Sequence, residues 1–300
     1  KNMDILKSLK LIMTTVLLLL ISAIAFSQKL APKDRKTEPD HTIYSKIRGR
    51  DYQLYISFPK NYSTKDTITY PVLYFLDGEY AFPTTRGTRE VLDWGNQIED
   101  VIIVGIGSGL NFLSWYNDRF DDYTPSRDTV WENDASYGKN AILKGSLTTG
   151  GAAEFLKSMK TEIIPFVDKN YKTNADRGIT GHSAGGLFTA YCLINSDGYF
   201  TRFGISSPSF WWDNHKLLNQ AVAQFRENKT WDIPQTKIFI SCAEYEGTRF
   251  IPAMQKIQRS LENADYKNIE LRSQIFESES HLSVWPANIS KTLINLYGKK

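Results

Sequence analysis

One serine, one histidine and a pair of glutamates have the types and the chain order needed to cleave an ester. Ser183 lies in Gly181-His182-Ser183-Ala184-Gly185-Gly186, a G-x-S-x-G sequence. A serine that attacks an ester must stand clear of the backbone at the end of a buried strand. A very tight strand-to-helix turn does this, and it crowds the positions two before and two after the serine, so both favour glycine. Gly186 leaves room for the following helix to pack close.

A serine hydroxyl is a weak nucleophile, and it needs a base for its proton and an acid to hold that base in the right tautomer. On an elbow scaffold the chain order is Ser, then Asp or Glu, then His. Of the four histidines, His41 precedes the core strands, His182 flanks the serine and points away across the turn, and His215 opens a helix. His281 alone follows a strand late in the chain, and it is the candidate base. Glu244 and Glu246 both lie past the end of the strand Thr236 to Cys242. In extended chain they share a face, and in a turn they need not. Glu246 is the preferred acid and Glu244 the alternative. The developing oxyanion needs two N–H donors. One belongs to Ala184, the residue after the nucleophile. The second is Glu79, with Tyr80 beside it, in the loop after the strand Pro71 to Leu76.

The elements that must position these groups follow from periodicity. Thr42 to Arg48 and Asp51 to Phe58 read as an opening hairpin, with Tyr52, Leu54, Ile56 and Phe58 on one face. Pro71 to Leu76 and Val101 to Gly107 are continuous apolar runs, the pattern of strands buried on both faces. Thr85 to Ile98 makes a helix between them. Residues 108–147 are aromatic and irregular and read as a long functional loop, with Arg119, Asp121 and Asp122 in its middle. There Arg119 either pairs with those aspartates to pin the loop or meets substrate.

Thr148 or Thr149 can cap a helix over 150–170, whose stripe Phe155, Met159, Ile163 and Phe166 is core. The elbow strand ends at Thr180, and strands follow at 202–206, 236–242 and 269–276. Helices follow the elbow and cover 215–226, 250–264 and 284–297. Strands alternating with helices require a largely parallel sheet.

Composition narrows the classes. A net charge of +3 argues against nucleic acid as a partner. The chain has two cysteines, Cys192 and Cys242, too few for a disulfide framework, and both read as small buried hydrophobes. No cofactor and no metal site is expected. The seven tryptophans fit either an aromatic-lined cleft or a Trp-rich core. Lys7 and Lys10 precede an uncharged run from Leu11 to Phe26 that ends in small residues, the pattern of a cleaved signal peptide over residues 1–28. A polar linker follows over 29–40, then one domain over 41–300. The expected location is periplasmic or secreted, with no stable membrane span after cleavage.

Taken together these pieces resemble the putative esterase family of α/β hydrolases, which includes feruloyl esterases, S-formylglutathione hydrolases and trilactone siderophore esterases. The resembling residues are Val72 to Gly78, Val101 to Gly107, Arg119 with Asp122-Tyr123-Thr124-Pro125, Gly181 to Gly186, Ser207-Pro208-Ser209-Phe210-Trp211-Trp212 and His281. The resemblance implies an α/β-hydrolase fold, a mostly parallel eight-stranded sheet with helices on both faces. It implies Ser183 as nucleophile, His281 as base, Ala184 and Glu79 as oxyanion donors, and Arg119, Trp211 and Trp212 as contacts for a small-molecule ester, a ferric siderophore among the candidates. In many members the acid stands three residues after a glycine that ends the seventh strand. Here Ala243 replaces that glycine and Glu246 holds the acid position, while some siderophore-cleaving members manage with a Ser–His pair. The expected activity is a serine esterase on a siderophore trilactone. The rival readings are a carbohydrate esterase acting on acetyl or feruloyl xylan, and a non-catalytic binding protein on a hydrolase scaffold.

Overall fold

The strands without a polar face form the middle of the sheet. β3 (Tyr70–Leu76) and β4 (Ile102–Ser108) are buried almost throughout. Side chains alternate along a strand, so β3 feeds two cores at once. Val72, Tyr74 and Leu76 enter one cluster, and Leu73 and Phe75 enter the other. Each such side chain contributes about 1.5–3 kcal/mol on burial.

In this computed structural model the described residues are 38–65, 67–109, 111–134, 147–228 and 230–299. Residues 1–28, expected to be a signal peptide, most of the expected linker 29–40, and residues 135–146 of the aromatic segment lie outside them. Described residues from Pro39 onward cluster as one compact unit. Among the described residues, no helix is long and apolar enough to cross a membrane.

The remaining strands are β1 (His41–Ser45), β2 (Arg50–Ser57), β5 (Thr173–His182), β6 (Arg202–Ser206), β7 (Thr236–Ala243) and β8 (Ile269–Phe276). They make one eight-stranded sheet in the order β1-β2-β4-β3-β5-β6-β7-β8. The first two pairings, β1 with β2 and β2 with β4, are antiparallel. All pairings from β4 to β8 are parallel. This is the α/β-hydrolase fold.

Helices cover both faces. α1 (Gly78–Trp94) and α9 (Val284–Tyr297) close one side. The other side is closed by α2 (Phe112–Tyr123), α4 (Ala152–Ser158), α5 (Ile164–Asn170), α6 (Ala184–Asn195), α7 (Lys216–Glu227) and α8 (Gly247–Ala264). The short α3 (Thr129–Asn133) follows α2.

Several expectations need correction. α1 starts at Gly78, seven residues before the predicted helix, and Gly95 stops it. The loop expected at Asp77 to Tyr80 is a single left-handed residue, Asp77 at φ 57°, followed at once by helix. The segment 108–147 is not irregular where it is described. Asn111 caps α2 by accepting from Leu113 N and Ser114 N. Tyr116, Arg119 and Tyr123 recur on the buried face of α2, and the charge in that stripe hid its period. The helix expected at 150–170 is present, with a wide turn at Met159–Ile163 joining α4 to α5. Thr149 does not cap it. Its hydroxyl receives Asp128 N and donates to Glu132.

Asp121 and Asp122 do not pair with Arg119. They hold Arg48 and Arg50 of the opening hairpin instead, and Tyr52 Oη donates to Asp122 at 2.7 Å. That cluster ties α2 to the sheet edge.

Candidate active site

β5 ends at His182, α6 begins at Ala184, and Ser183 alone makes the bend. Its φ of 61° and ψ of −116° are a conformation that L residues avoid. Two hydrogen bonds fix it: Ser183 N donates to Ser206 O at 3.0 Å, and Ser209 N donates to Ser183 O at 3.1 Å. The glycines around it are not equivalent. A Cβ on Gly181 would sit 2.5 Å from the Gly185 backbone, and one on Gly186 would sit 2.4 Å from Ser206 O. A Cβ on Gly185 would meet its nearest atom, Asp77 Oδ2, at 3.4 Å. Gly181→Ala is therefore expected to lose about 1–3 kcal/mol in urea unfolding. Gly185→Ala, inside a helix, should be neutral or stabilising by up to about 1 kcal/mol. Equal losses at both positions would contradict this account of the elbow.

His281 arrives in the turn between β8 and α9. Its Nε2 lies 2.9 Å from Ser183 Oγ, and its Nδ1 meets Glu246 Oε1. The other Glu246 oxygen accepts from Ala243 N at 2.7 Å and from Ser207 Oγ at 2.9 Å. An ionised carboxylate only accepts, so Nδ1 carries the proton and Nε2 is left to receive one from Ser183. Glu246 is almost fully enclosed, with 1% of its side chain exposed, whereas His281 retains 34%.

A single turn of 3-10 helix over Glu244–Glu246 sends the two glutamates different ways. Glu244 accepts from Ser278 N at 2.7 Å and braces the loop that carries His281. It does not face the imidazole. The structure therefore brings Glu246, not the alternative Glu244, to His281.

Both oxyanion candidates are first-turn N–H groups. Ala184 opens α6 and Glu79 lies in the first turn of α1, where the helix offers no acceptor. β3 and β5 are neighbours with Phe75 opposite Thr180, so the two helices start side by side. Arg119 spans the gap between them. Its Nε donates to Asp77 Oδ1 at 2.7 Å and its Nη2 to His182 O at 2.9 Å. Arg119 is buried at 8% exposure, packed among Trp115, Phe120 and Tyr123. This corrects its expected role as a substrate contact. It is a strut between the two strand ends that carry the candidate oxyanion donors.

The Glu79 side chain matters more than expected. It folds back against its own N–H and accepts from Ser108 N at 3.1 Å. Burial, and then the charge of Asp77, push its carboxyl up to about 8. Below that pH the carboxyl is neutral, a weak competitor for the N–H. Above it, a carboxylate binds the N–H and repels an oxyanion. Activity is therefore expected to fall as pH rises through about 8, and Glu79→Gln removes that limb of the pH–rate profile.

The sign for stability is the same. The unfolded carboxyl ionises near 4.5 and the folded one near 8, so the native state holds the extra proton between these values. Wild-type stability falls with rising pH across that window, and the Glu79→Gln variant lacks the slope. Thermal melts of both proteins at pH 5 and pH 8 read it directly.

His182 does not point away from the site. Its ring lies 4.6 Å from that of His281 and stacks on Trp285 at 5.3 Å, centroid to centroid. Burial, then His281 and Arg119, hold its pKa well below 6.5. It stays neutral, so an imidazolium at His281 meets no second positive ring. Phe250 covers His281 from another side at 4.9 Å.

The expected aromatic contacts divide. Trp212 is buried at 2% exposure and donates Nε1–H to Ser126 O at 3.0 Å. It belongs to the core beneath the site, which corrects its reading as a substrate contact. Trp211 is half-buried, and the Arg249 guanidinium lies over its ring at 4.1 Å. Sequence reasoning missed Arg249, Ser207 and Ser209. Ser209 Oγ lies 3.4 Å from Ser183 Oγ. The two serines stood in the quoted Ser207-to-Trp212 run, but nothing in their spacing distinguishes a turn serine from one that braces a carboxylate. Cys192 and Cys242 are free and buried.

A family profile described as Putative esterase matches residues 45–296. The chain is 29% identical over 184 residues to the apo-salmochelin esterase of Escherichia coli O6:H1, a match covering 61% of this chain and 54% of that protein. The chain thus aligns with about half the length of that relative. It is 25% identical over 258 residues to the ferri-bacillibactin esterase BesA of Bacillus subtilis, covering 83% and 86% of the two chains. Among solved structures it is similar to the BES protein from Bacillus cereus, with a TM-score of 0.73 and 28% identity over 86% of this chain and 94% of that one.

Proposed function

The chain belongs to the putative esterase family of α/β hydrolases, and on that footing we propose that it is a carboxylic ester hydrolase working through an acyl-enzyme on Ser183. The observation that carries this reading is the 2.9 Å approach of Ser183 Oγ to His281 Nε2, with the imidazole held from behind by Glu246. Ser183 Oγ attacks the ester carbonyl as its proton passes to His281 Nε2. The carbonyl oxygen takes the negative charge and meets the N–H groups of Ala184 and Glu79. Each such donor is worth about 2.7–4 kcal/mol in the transition state. His281 returns the proton to the departing alcohol. Water, deprotonated by the same nitrogen, then releases the acid and restores the serine.

For substrate we propose a siderophore trilactone of the enterobactin type. Support comes from relatives named as esterases of salmochelin, bacillibactin and enterobactin. Two measurements test the proposal. A fluorophosphonate probe should label Ser183 alone. Chromatography after incubation with ferric enterobactin should show linearised and monomeric products, with no ferulate released from feruloylated xylan. Ferulate without trilactone cleavage would move the substrate to plant-wall esters. Absence of labelling in folded protein would make the chain a binding protein on a hydrolase scaffold.

A further inference from the structure

The mouth of the candidate site holds an arginine that has no carboxylate partner among the described residues. Arg119, Arg177 and Arg202 all lie over aromatic rings, and each also holds an aspartate. Arg249 differs. It is exposed, lies over the Trp211 ring at 4.1 Å, and among the described residues has no ion pair. A guanidinium that meets a ring through its face keeps its five N–H groups free at its edge.

Both residues are tied to the reacting pair. Trp211 lies two residues beyond Ser209, whose hydroxyl is 3.4 Å from Ser183 Oγ, a backbone reach of at most about 7 Å. Arg249 immediately precedes Phe250, whose ring lies 4.9 Å from His281. The Trp211 indole Nε1 is itself buried and among the described residues has no hydrogen-bond partner, an arrangement that costs free energy unless something accepts from it.

The backbone beside Trp211 is also unusual. Asp213, Asn214 and His215 have φ of 45°, 51° and 62° in succession. Such runs persist only where surrounding contacts force them, and they gather at ligand clamps. Here Trp212 N is bonded to Ser209 O, Trp212 Nε1 to Ser126 O, and Ser126 Oγ to Asp213. The turn that presents Trp211 is therefore fixed in advance.

We propose that Trp211 and Arg249 form a substrate subsite for a planar aromatic group bearing negatively charged oxygens, such as a catecholate. The subsite rests on the esterase reading above and specifies which part of the ester is recognised there. The guanidinium edge takes the anionic oxygens in a forked pair, and the indole adds an apolar wall.

Three serine methyl esters test it: N-(2,3-dihydroxybenzoyl), N-benzoyl and N-acetyl. In Arg249→Ala, the kcat/KM ratio of the dihydroxybenzoyl to the acetyl ester should fall about 10- to 100-fold, mainly through KM, the range for losing charge-assisted hydrogen bonds. Arg249→Lys should recover only part of the ratio, because lysine neither forks nor stacks as arginine does. Trp211→Phe should lower it less than Arg249→Ala. An unchanged ratio in Arg249→Ala, even with both esters slowed together, would overturn the subsite.

Binding of 2,3-dihydroxybenzoyl-serine, which has no ester to cleave, separates this idea from the esterase reading. Its Kd should rise at least about tenfold in Arg249→Ala. That rise in a protein that turns over no ester would keep the subsite and remove the hydrolase. Equal Kd values in both proteins would remove the subsite.

Discussion

Replacing Ser183 by alanine is expected to lower kcat on an aryl ester by about 10⁴- to 10⁶-fold, the range for loss of an activated serine. The protein should remain folded. Ser183 Oγ has two partners, His281 at 2.9 Å and Ser209 at 3.4 Å, and neither anchors the bend. The bend is held by the backbone bonds of Ser183 N and O to Ser206 and Ser209, which alanine keeps. Stability should therefore change by less than about 1 kcal/mol. Because Ser183 and His281 act as one unit, the double variant Ser183→Ala/His281→Ala should be no slower than Ser183→Ala alone. Steady-state kinetics and near-ultraviolet circular dichroism on the same samples decide it. A folded Ser183→Ala protein that still turns over would exclude the nucleophile.

The legible part of this molecule was the part built from local rules. Strands such as Val101 to Gly107 announce themselves because burial on both faces leaves no polar position. The elbow is legible because Gly181 answers a backbone clash with Gly185, within five residues. His281 could be found by elimination among four histidines. What escaped depends on contacts between segments far apart in the chain. Arg119 could be read as a pin for its own loop or as a substrate contact because nothing local reveals that Asp77, 42 residues earlier, will take it. α2 was missed for the same reason, since a buried charge breaks the apolar period. Glu79 reads as a backbone donor alone, because its carboxyl is perturbed by burial and then by Asp77, neither visible as a motif. Arg249 has no sequence signal at all: it is one exposed arginine on an amphipathic helix until Trp211, 38 residues away, is brought against it.

The choice between Glu244 and Glu246 turns on geometry, and so does the second large effect. The Glu246 carboxylate accepts from Ala243 N, Ser207 Oγ and His281 Nδ1, and the Cys242 thiol also lies against it. Glutamine has one oxygen and one NH₂ at the same positions. If the oxygen stays with Ala243 and Ser207, the NH₂ faces Nδ1 and forces it to accept. The imidazole proton then moves to Nε2, which can no longer receive one from Ser183. Glu246→Gln is accordingly expected to cost about 10⁴-fold in kcat with KM little changed, as wrong-tautomer variants of serine hydrolases do. Nitrogen NMR of His281 should show the proton transferred from Nδ1 to Nε2. Glu246→Ala should cost about as much activity and, by leaving the buried Ala243 N–H unpaired, about 1–3 kcal/mol of stability as well. Glu244→Gln keeps an acceptor for Ser278 N and should stay within about 0.5 kcal/mol of wild type. Activity within tenfold of wild type in Glu246→Gln, with the tautomer unchanged, would mean that Ser183 and His281 suffice as a pair and that the carboxylate only braces the turn.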